Sequence, residues 1–240
     1  MPHKKNEPYV QIIYQNEHFV LVDKPAGMNF HSEDEAGLAV VVKQQLQAGD
    51  NKDLELYPVH RLDKMTSGLV LFALTKEAAK AFQKMFENRG LDKFYLAIST
   101  EKPKKKQGWV KGDMQPARRG SWKLVTTQEN PAVTRFISVS IGANQRLFLV
   151  KPLTGKTHQI RVALKSLGAP IAGDERYQKL EQAKLEDRGY LHAFALRFTL
   201  LGEDYAFSLL PSIGERFVSG TCIEQMKLWR EPWMILESKS

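Results

Sequence analysis

The sequence predicts an α+β fold for this chain of 240 residues, and three observations carry the prediction. Apolar runs of strand length and apolar faces of helical period are mixed along the chain. They lack the strict strand-helix alternation that a doubly wound parallel sheet requires. Proline and glycine punctuate the runs at turn positions, as in Asp23-Lys24-Pro25-Ala26-Gly27. A composition of 42% hydrophobic and 26% charged residues is that of an ordinary soluble protein with enough chain to bury a core.

In order, Val10 to Tyr14 and Phe19 to Val22 are apolar runs separated by Gln15-Asn16-Glu17, the pattern of a hairpin. Ser32-Glu33-Asp34-Glu35 fits a capping box ahead of a helix with Leu38, Val41, Val42 and Leu46 on one face and Gly49 at its end. The stretch from His60 to Gly68 leads into an apolar strand, Leu69 to Leu74. Thr75 caps a second helix, Lys76 to Arg89, whose apolar face is Ala78, Ala79, Phe82, Met85 and Phe86. Phe94 to Ile98 reads as a strand and Lys102 to Lys123 as a basic loop. Trp122 to Thr126, Val133 to Val139 and Leu147 to Val150 read as three more strands, the middle one alternating. Thr154-Gly155-Lys156-Thr157 turns into a helix, His158 to Leu167, stopped by Gly168 and Pro170. Gln178 to Arg188 is polar and fits either a helix or an inserted surface loop. Leu191 to Leu200 and Tyr205 to Leu210 read as strands, and Pro211 and Ser212 introduce a C-terminal helix to about Trp229.

Charge is concentrated in one place. The chain carries a net +8, and between Lys102 and Lys123 eight basic residues face the single acid Asp113. Trp109 and Trp122 lie in the same segment. Basic residues interleaved with aromatics suit a phosphate backbone and exposed bases, and suit equally a solvated loop whose tryptophans fold back onto the core. The single Cys222 excludes an intrachain disulfide and suits a reducing compartment. No apolar segment follows the N-terminal charges, and the apolar run after His60 to Gly68, Leu69 to Leu74, is far shorter than the roughly 18 residues of a membrane span. A cytoplasmic protein without a membrane partner is the expectation.

Several chemistries are discounted. Gly155-Lys156-Thr157 lacks the glycine that a phosphate-binding loop needs five residues earlier, where Val150 stands. The six histidines show no pair at i and i+4 and no cysteine cluster, which argues against a zinc site. No Gly-x-Ser-x-Gly elbow is present. A glycosidase would need a second carboxylate opposite Asp63, for which Asp174 and Asp204 are the candidates. What remains is Asp63 between Arg61 and Lys64, Tyr95 in a strand, Arg161 on a helix after a glycine turn, and the basic aromatic segment. An aspartate ionised at neutral pH acts as nucleophile or base when a neighbour such as a guanidinium holds it in place.

Four collinear motifs then carry a resemblance. Ile12-Ile13-Tyr14 through Val22-Asp23-Lys24-Pro25-Ala26-Gly27-Met28 with His31, His60-Arg61-Leu62-Asp63 with Thr66-Ser67-Gly68, and Lys93-Phe94-Tyr95-Leu96-Ala97 are three of them. The fourth is Thr154-Gly155-Lys156-Thr157-His158-Gln159-Ile160-Arg161-Val162 with Gly173-Asp174 and Tyr177, followed by Leu191-His192-Ala193. In this order the chain resembles the RluA-type pseudouridine synthases, which isomerise uridine to pseudouridine in ribosomal or transfer RNA. The resemblance implies that family's fold, a mixed and largely antiparallel sheet with flanking helices and a central catalytic cleft, over a single catalytic domain spanning 1–240. It implies Asp63 as nucleophile, Tyr95 packing on the base and assisting the last proton removal, and Arg161 orienting Asp63. Arg61 would fill the gap left by the flipped nucleotide, and His60 and Thr66 would line the substrate site. RNA is the implied partner, a monomer the simple expectation, and no metal or organic cofactor is implied.

The chain also departs from that family. About ten residues precede the first strand, where larger members carry a small RNA-binding domain, so recognition is expected from the 102–123 insertion through Lys104, Lys105, Lys106, Arg118 and Arg119. After Phe198-Thr199 stands Leu200-Leu201 in place of the family's His-Pro. A non-catalytic RNA-binding or RNA-folding protein that keeps the fold is the alternative reading, and a carboxylate-based hydrolase a third.

Overall fold

The computed structural model describes residues 9–32, 36–48, 53–142 and 144–237. The chain opens with β1 (Gln11–Gln15) and β2 (Phe19–Lys24), paired antiparallel around a turn in which Asn16 Oδ1 accepts from the His18 and Phe19 amides. Next come α1 (Leu38–Gln47), β3 (Tyr57–Pro58), β4 (Ser67–Ala73), α2 (Lys76–Glu87) and β5 (Asp92–Ser99). The middle of the chain forms β6 (Gln107–Gly112), β7 (Met114–Pro116), β8 (Trp122–Leu124), β9 (Ala132–Ser140) and β10 (Arg146–Pro152). The last part supplies α3 (Gln159–Ser166), α4 (Leu180–Ala183), β11 (Leu191–Leu200), β12 (Glu203–Ser208), α5 (Gly220–Leu228) and α6 (Pro232–Ile235).

A ten-stranded sheet runs β1-β2-β4-β11-β5-β10-β9-β6, with β3 beside β4 and β12 beside β11, and β7 and β8 form a separate hairpin. It is the expected mixed α+β sheet with helices on its faces. The described pairs are antiparallel except β4 with β11, which run parallel over a short stretch, His192 opposite Ser67 and Ala193 opposite Gly68. Gly68 permits this approach. At φ +105° it sits where L side chains rarely go, and a Cβ there would lie 2.3 Å from the Ala193 carbonyl oxygen. One row of registered residues crosses the middle of the sheet: Val150, Tyr95, Ala193, Gly68 and Lys24 on β10, β5, β11, β4 and β2.

Alternation decides what covers each face. Val20, Val22, Val70 and Phe72 pack with Leu38, Val41 and Val42 of α1, while Phe19, Leu21, Leu69 and Leu71 pack with Ala78 and Phe82 of α2 on the opposite face. A third cluster joins Phe94, Leu96, Phe148 and Val150 to α3 through Ile160, Ala163 and Leu164, and to Cys222 and Met226 of α5. Thr75 caps α2 as expected, its Oγ1 accepting from the Ala78 amide at 3.1 Å.

Three expectations need correction. Helix α1 begins at Leu38 behind Gly37, which has no side-chain cap; Ser32 Oγ instead accepts from the Gly37 amide at 3.1 Å, so Ser32 shapes the loop before the helix. Glu33, Asp34, Glu35 and Gly49 lie outside the described residues. The basic segment is largely β6 and the β7–β8 hairpin, with a loop only at its start. Glycines and lysines hid an edge strand, where lysine is a common guard against edge pairing. The C-terminal helix starts at Gly220, nine residues past Pro211, because Ile213 to Val218 form a turn that lays Phe217 onto Tyr190 at 5.1 Å between ring centroids. The 178–188 segment is a single short helix, α4, followed by turns.

Candidate active site

Asp63 lies in the turn before β4, where the Thr66 amide donates to the Asp63 carbonyl at 3.0 Å. Lys24 fastens this turn from below. Its fully buried ammonium donates to the carbonyls of Pro25 (3.0 Å), Lys64 (3.2 Å) and Thr66 (2.7 Å), and the Gly27 amide bonds Lys64 O at 2.8 Å. Burial pushes the Lys24 pKa down to about 7, with the Arg188 charge adding to the effect and Asp63 opposing it.

Arg161 reaches Asp63 from α3. The start of that helix is pinned by Gln159: its Oε1 accepts from the Lys156 amide at 3.0 Å and from Thr154 Oγ1 at 2.7 Å, and its Nε2 donates to Val133 O and Thr134 Oγ1 at 3.0 Å. Arg161 Nη1 donates to Asp63 Oδ2 at 2.9 Å. Its Nε and Nη2 grip the fully buried Asp174 in a bidentate pair, both at 2.8 Å. Burial works against the Arg161 charge, but Asp174 and Asp63 more than offset it, so its pKa is raised. Asp174 also accepts from the Arg176 amide at 3.1 Å, and Asp204 bonds Thr199 Oγ1 on the β11–β12 hairpin. Asp174 is thereby committed to Arg161, and Asp204 is not among the residues lining the Asp63 cavity.

His158 is the second group on Asp63, with Nε2 3.9 Å from Oδ2. It precedes α3 in a left-handed conformation, φ +57°. Its Nδ1 lies 2.9 Å from Tyr177 Oη, which accepts from the Trp122 amide of β8 at 2.9 Å. Burial and the Arg161 charge lower the His158 pKa, so it is neutral at neutral pH.

A cavity of about 300 Å³ opens on this pair, lined by His60, Arg61, Asp63, Thr66, Tyr95 and Arg161 together with Phe86, Lys93, Pro152 and Leu191. Tyr95 enters from β5, and burial, reinforced by the Asp63 charge, raises its pKa and keeps the phenol protonated. His60 Nε2 accepts from the Leu71 amide at 3.0 Å; burial and then Lys93 push its pKa down to about 3. Thr66 is buried and Arg61 exposed at the rim.

The fold thus gathers six of the sequence-predicted residues around one cavity and separates the rest. Arg118 and Arg119 sit on the β7–β8 turn, docked to the site by Arg176 Nη1 on Arg119 O at 2.9 Å and by the Trp122–Tyr177 bond. Lys104, Lys105 and Lys106 are elsewhere. Lys106 O accepts from Ser138 near the end of β9 remote from the Thr134 that Gln159 holds, about 13 Å along the strand at roughly 3.3 Å per residue. Sequence reasoning assigned no task to Lys24, His158 or Lys93, and considered Asp174 only as a glycosidase carboxylate and not as the partner of Arg161. All four lay inside the quoted motifs, which was the available signal. Among the described residues no three His, Cys, Asp or Glu side chains cluster as a metal site, and no helix is long and apolar enough to cross a membrane.

Comparison with known proteins gives the family. Residues 18–166 match the family model described as RNA pseudouridylate synthase. The chain is 45% identical over 221 residues to an uncharacterized RNA pseudouridine synthase of Haemophilus influenzae, covering 92% of this chain and 96% of that protein. It is 34% identical over 200 residues to the dual-specificity RNA pseudouridine synthase RluA of Salmonella typhi, covering 80% and 88%. Among solved structures it resembles human RNA pseudouridylate synthase domain containing 1, with TM-score 0.70 and 26% identity over 87% of this chain and 86% of that one. With its motifs collinear, its fold shared and its matched region spanning the Asp63 turn and α3, the chain belongs to the RNA pseudouridylate synthase family, whose members are isomerases.

Proposed function

We propose that the protein isomerises uridine in ribosomal or transfer RNA to pseudouridine within one catalytic domain, using Asp63 as the nucleophile. The observation that carries this reading is the 2.9 Å ion pair between Asp63 and Arg161 at the mouth of a cavity that Tyr95 also lines. Arg161 aims the carboxylate, while Asp174 holds the guanidinium through Nε and Nη2. Asp63 attacks the ribose carbon that bears the base as the bond from that carbon to the base nitrogen breaks; the detached base turns, its carbon 5 bonds to the ribose carbon and displaces Asp63, and the carbon 5 proton is lost to solvent while the freed nitrogen takes one up. A closed pocket serves this sequence by keeping the base from escaping and water from intercepting it. Tyr95 packs on the base, and its raised pKa favours that role over removal of the final proton. Arg61, exposed at the rim, stacks into the gap left in the RNA. Thr66 and the neutral His60 form the wall. Arg118 and Arg119 meet the RNA beside the cleft, and Lys104, Lys105 and Lys106 meet it only where the RNA wraps past the end of β9.

RNA carrying tritium at uridine carbon 5 tests the reading. Isomerisation releases the label with the base still attached; a binder releases none, and a hydrolase frees labelled base. Either of the last two results ends the proposal.

A further inference from the structure

Lys93 stands on β5 two residues before Tyr95, on the same face of the strand. Its ammonium lies 5.0 Å from the centroid of the Phe86 ring, and among the described residues it has no carboxylate, carbonyl or hydroxyl within bonding distance. Its neighbours differ. Lys151 pairs with Asp92 at 2.6 Å, Arg197 pairs with the same carboxylate at 2.8 Å, and Lys156 bonds Asn130 Oδ1 at 2.8 Å. Burial lowers the Lys93 pKa, and the imidazole it faces, His60, is neutral. A half-buried cation without a counter-charge costs stability, and its retention in a cavity points to an anion that arrives with the ligand.

The space beside it fits a strand of nucleic acid. A second cavity of about 600 Å³ shares Phe86, Lys93, Pro152, Thr154, Gly155 and Lys156 with the site cavity and continues to Arg89 at the end of α2. Lys93 therefore stands at the junction of the pocket and an adjoining groove. We propose that Lys93 holds a backbone phosphate next to the flipped uridine, and that the groove between Arg89 and Lys156 carries the adjoining RNA strand. The inference rests on the isomerase reading for the identity of the ligand.

The test is a salt titration of binding to a fluorescein-labelled uridine-loop RNA stem-loop, with tritium release measured on the same variants. Lys93→Met keeps the packing on Phe86 and is expected to raise Kd about tenfold and to flatten the salt slope by about 0.7. KM should rise while kcat stays within about threefold, the pattern of lost uniform binding. Lys93→Arg should restore most of the slope. Arg89→Gln combined with Lys156→Gln tests the same groove from its rim if Lys93→Met does not fold, and should flatten the slope by about 1.4. A wild-type slope in both the Lys93→Met and the rim variant overturns the proposal, as does a lower kcat with an unchanged slope. A wild-type chain that shows the salt slope but releases no tritium would break the isomerase reading alone.

Discussion

Arg161 and Lys93 line the same cavity, one from α3 and one from β5, yet their surroundings differ completely. Arg161 has carboxylates on three of its donor positions, Asp174 twice and Asp63 once, and its guanidinium carbon stacks 5.0 Å from the Tyr177 ring centroid. Lys93 has an aromatic ring and no anion among the described residues. A guanidinium that carries two protein carboxylates is architecture: three of its five N–H donors are spent on Asp174 and Asp63, and its charge is compensated within the protein. A desolvated ammonium without a partner is poised for one. Position separates the other cations: Arg118 and Arg119 sit on the β7–β8 turn beside the cleft, and Lys106 lies at the remote end of β9.

The largest expected effect breaks the catalytic side of this comparison. Asp63→Asn should lower tritium release by more than about a thousandfold while leaving RNA binding within a few fold; turnover near wild type would end the nucleophile assignment. Asp174→Ala should then reveal how far Arg161 depends on its partner. It leaves a buried guanidinium half-compensated, so urea melts should lose about 3–5 kcal/mol. Lys93→Met should do the reverse, leaving stability unchanged or raised by about 1 kcal/mol, because no protein anion is orphaned. Equal losses for Asp174→Ala and Lys93→Met would erase the distinction between them.

Acid should act next. Burial pushes His60 and His192 down to about 3, against an ordinary value of 6.5, and both accept or share hydrogen bonds as neutral rings. Between those values the unfolded chain binds more protons than the folded one, so this stability is present above pH 6.5 and is lost as pH falls toward 3. Calorimetry at falling pH should show Tm dropping across that window with an uptake of about two protons on unfolding. His60→Asn should remove about one of them. The smallest effect is expected from Arg118→Gln with Arg119→Gln, which should weaken RNA binding a few fold and flatten the salt slope by no more than about 1.4. A larger change than that from Lys104, Lys105 and Lys106 replaced by Gln would move the RNA footprint to the far end of the sheet.

Much of the fold was legible because the signals were local. Thr75 caps α2 where the sequence placed it, and the alternation of Ala132 to Ser140 is that of a strand with one face buried. The misreadings came where two local rules competed. Ser32 carries the chemistry of a cap but bonds Gly37 from within a loop, and the glycines and lysines of 107–112 look like loop residues until β9 supplies an edge for them to pair with. Ser219, immediately ahead of α5, makes no cap bond and donates to Arg216 O instead, so the start of α5 carried no legible mark.

By itself the sequence determined the kinds of element, the order of the motifs and, through them, the family, since each of these depends on residues close together in the chain. Beyond the Asp63–Arg161 pairing that the resemblance implied, only the tertiary structure decided which charges meet. Asp63 and Arg161 are 98 residues apart, and Asp174 is held on the far side of the same guanidinium. Tyr95 and the Asp63 turn are neighbours because Ala193 of β11 is registered between Tyr95 and Gly68. Whether a cation is paired with protein carboxylates, like Arg161, or without one, like Lys93, depends on which strands and helices pack around it, and chain-local chemistry does not encode that.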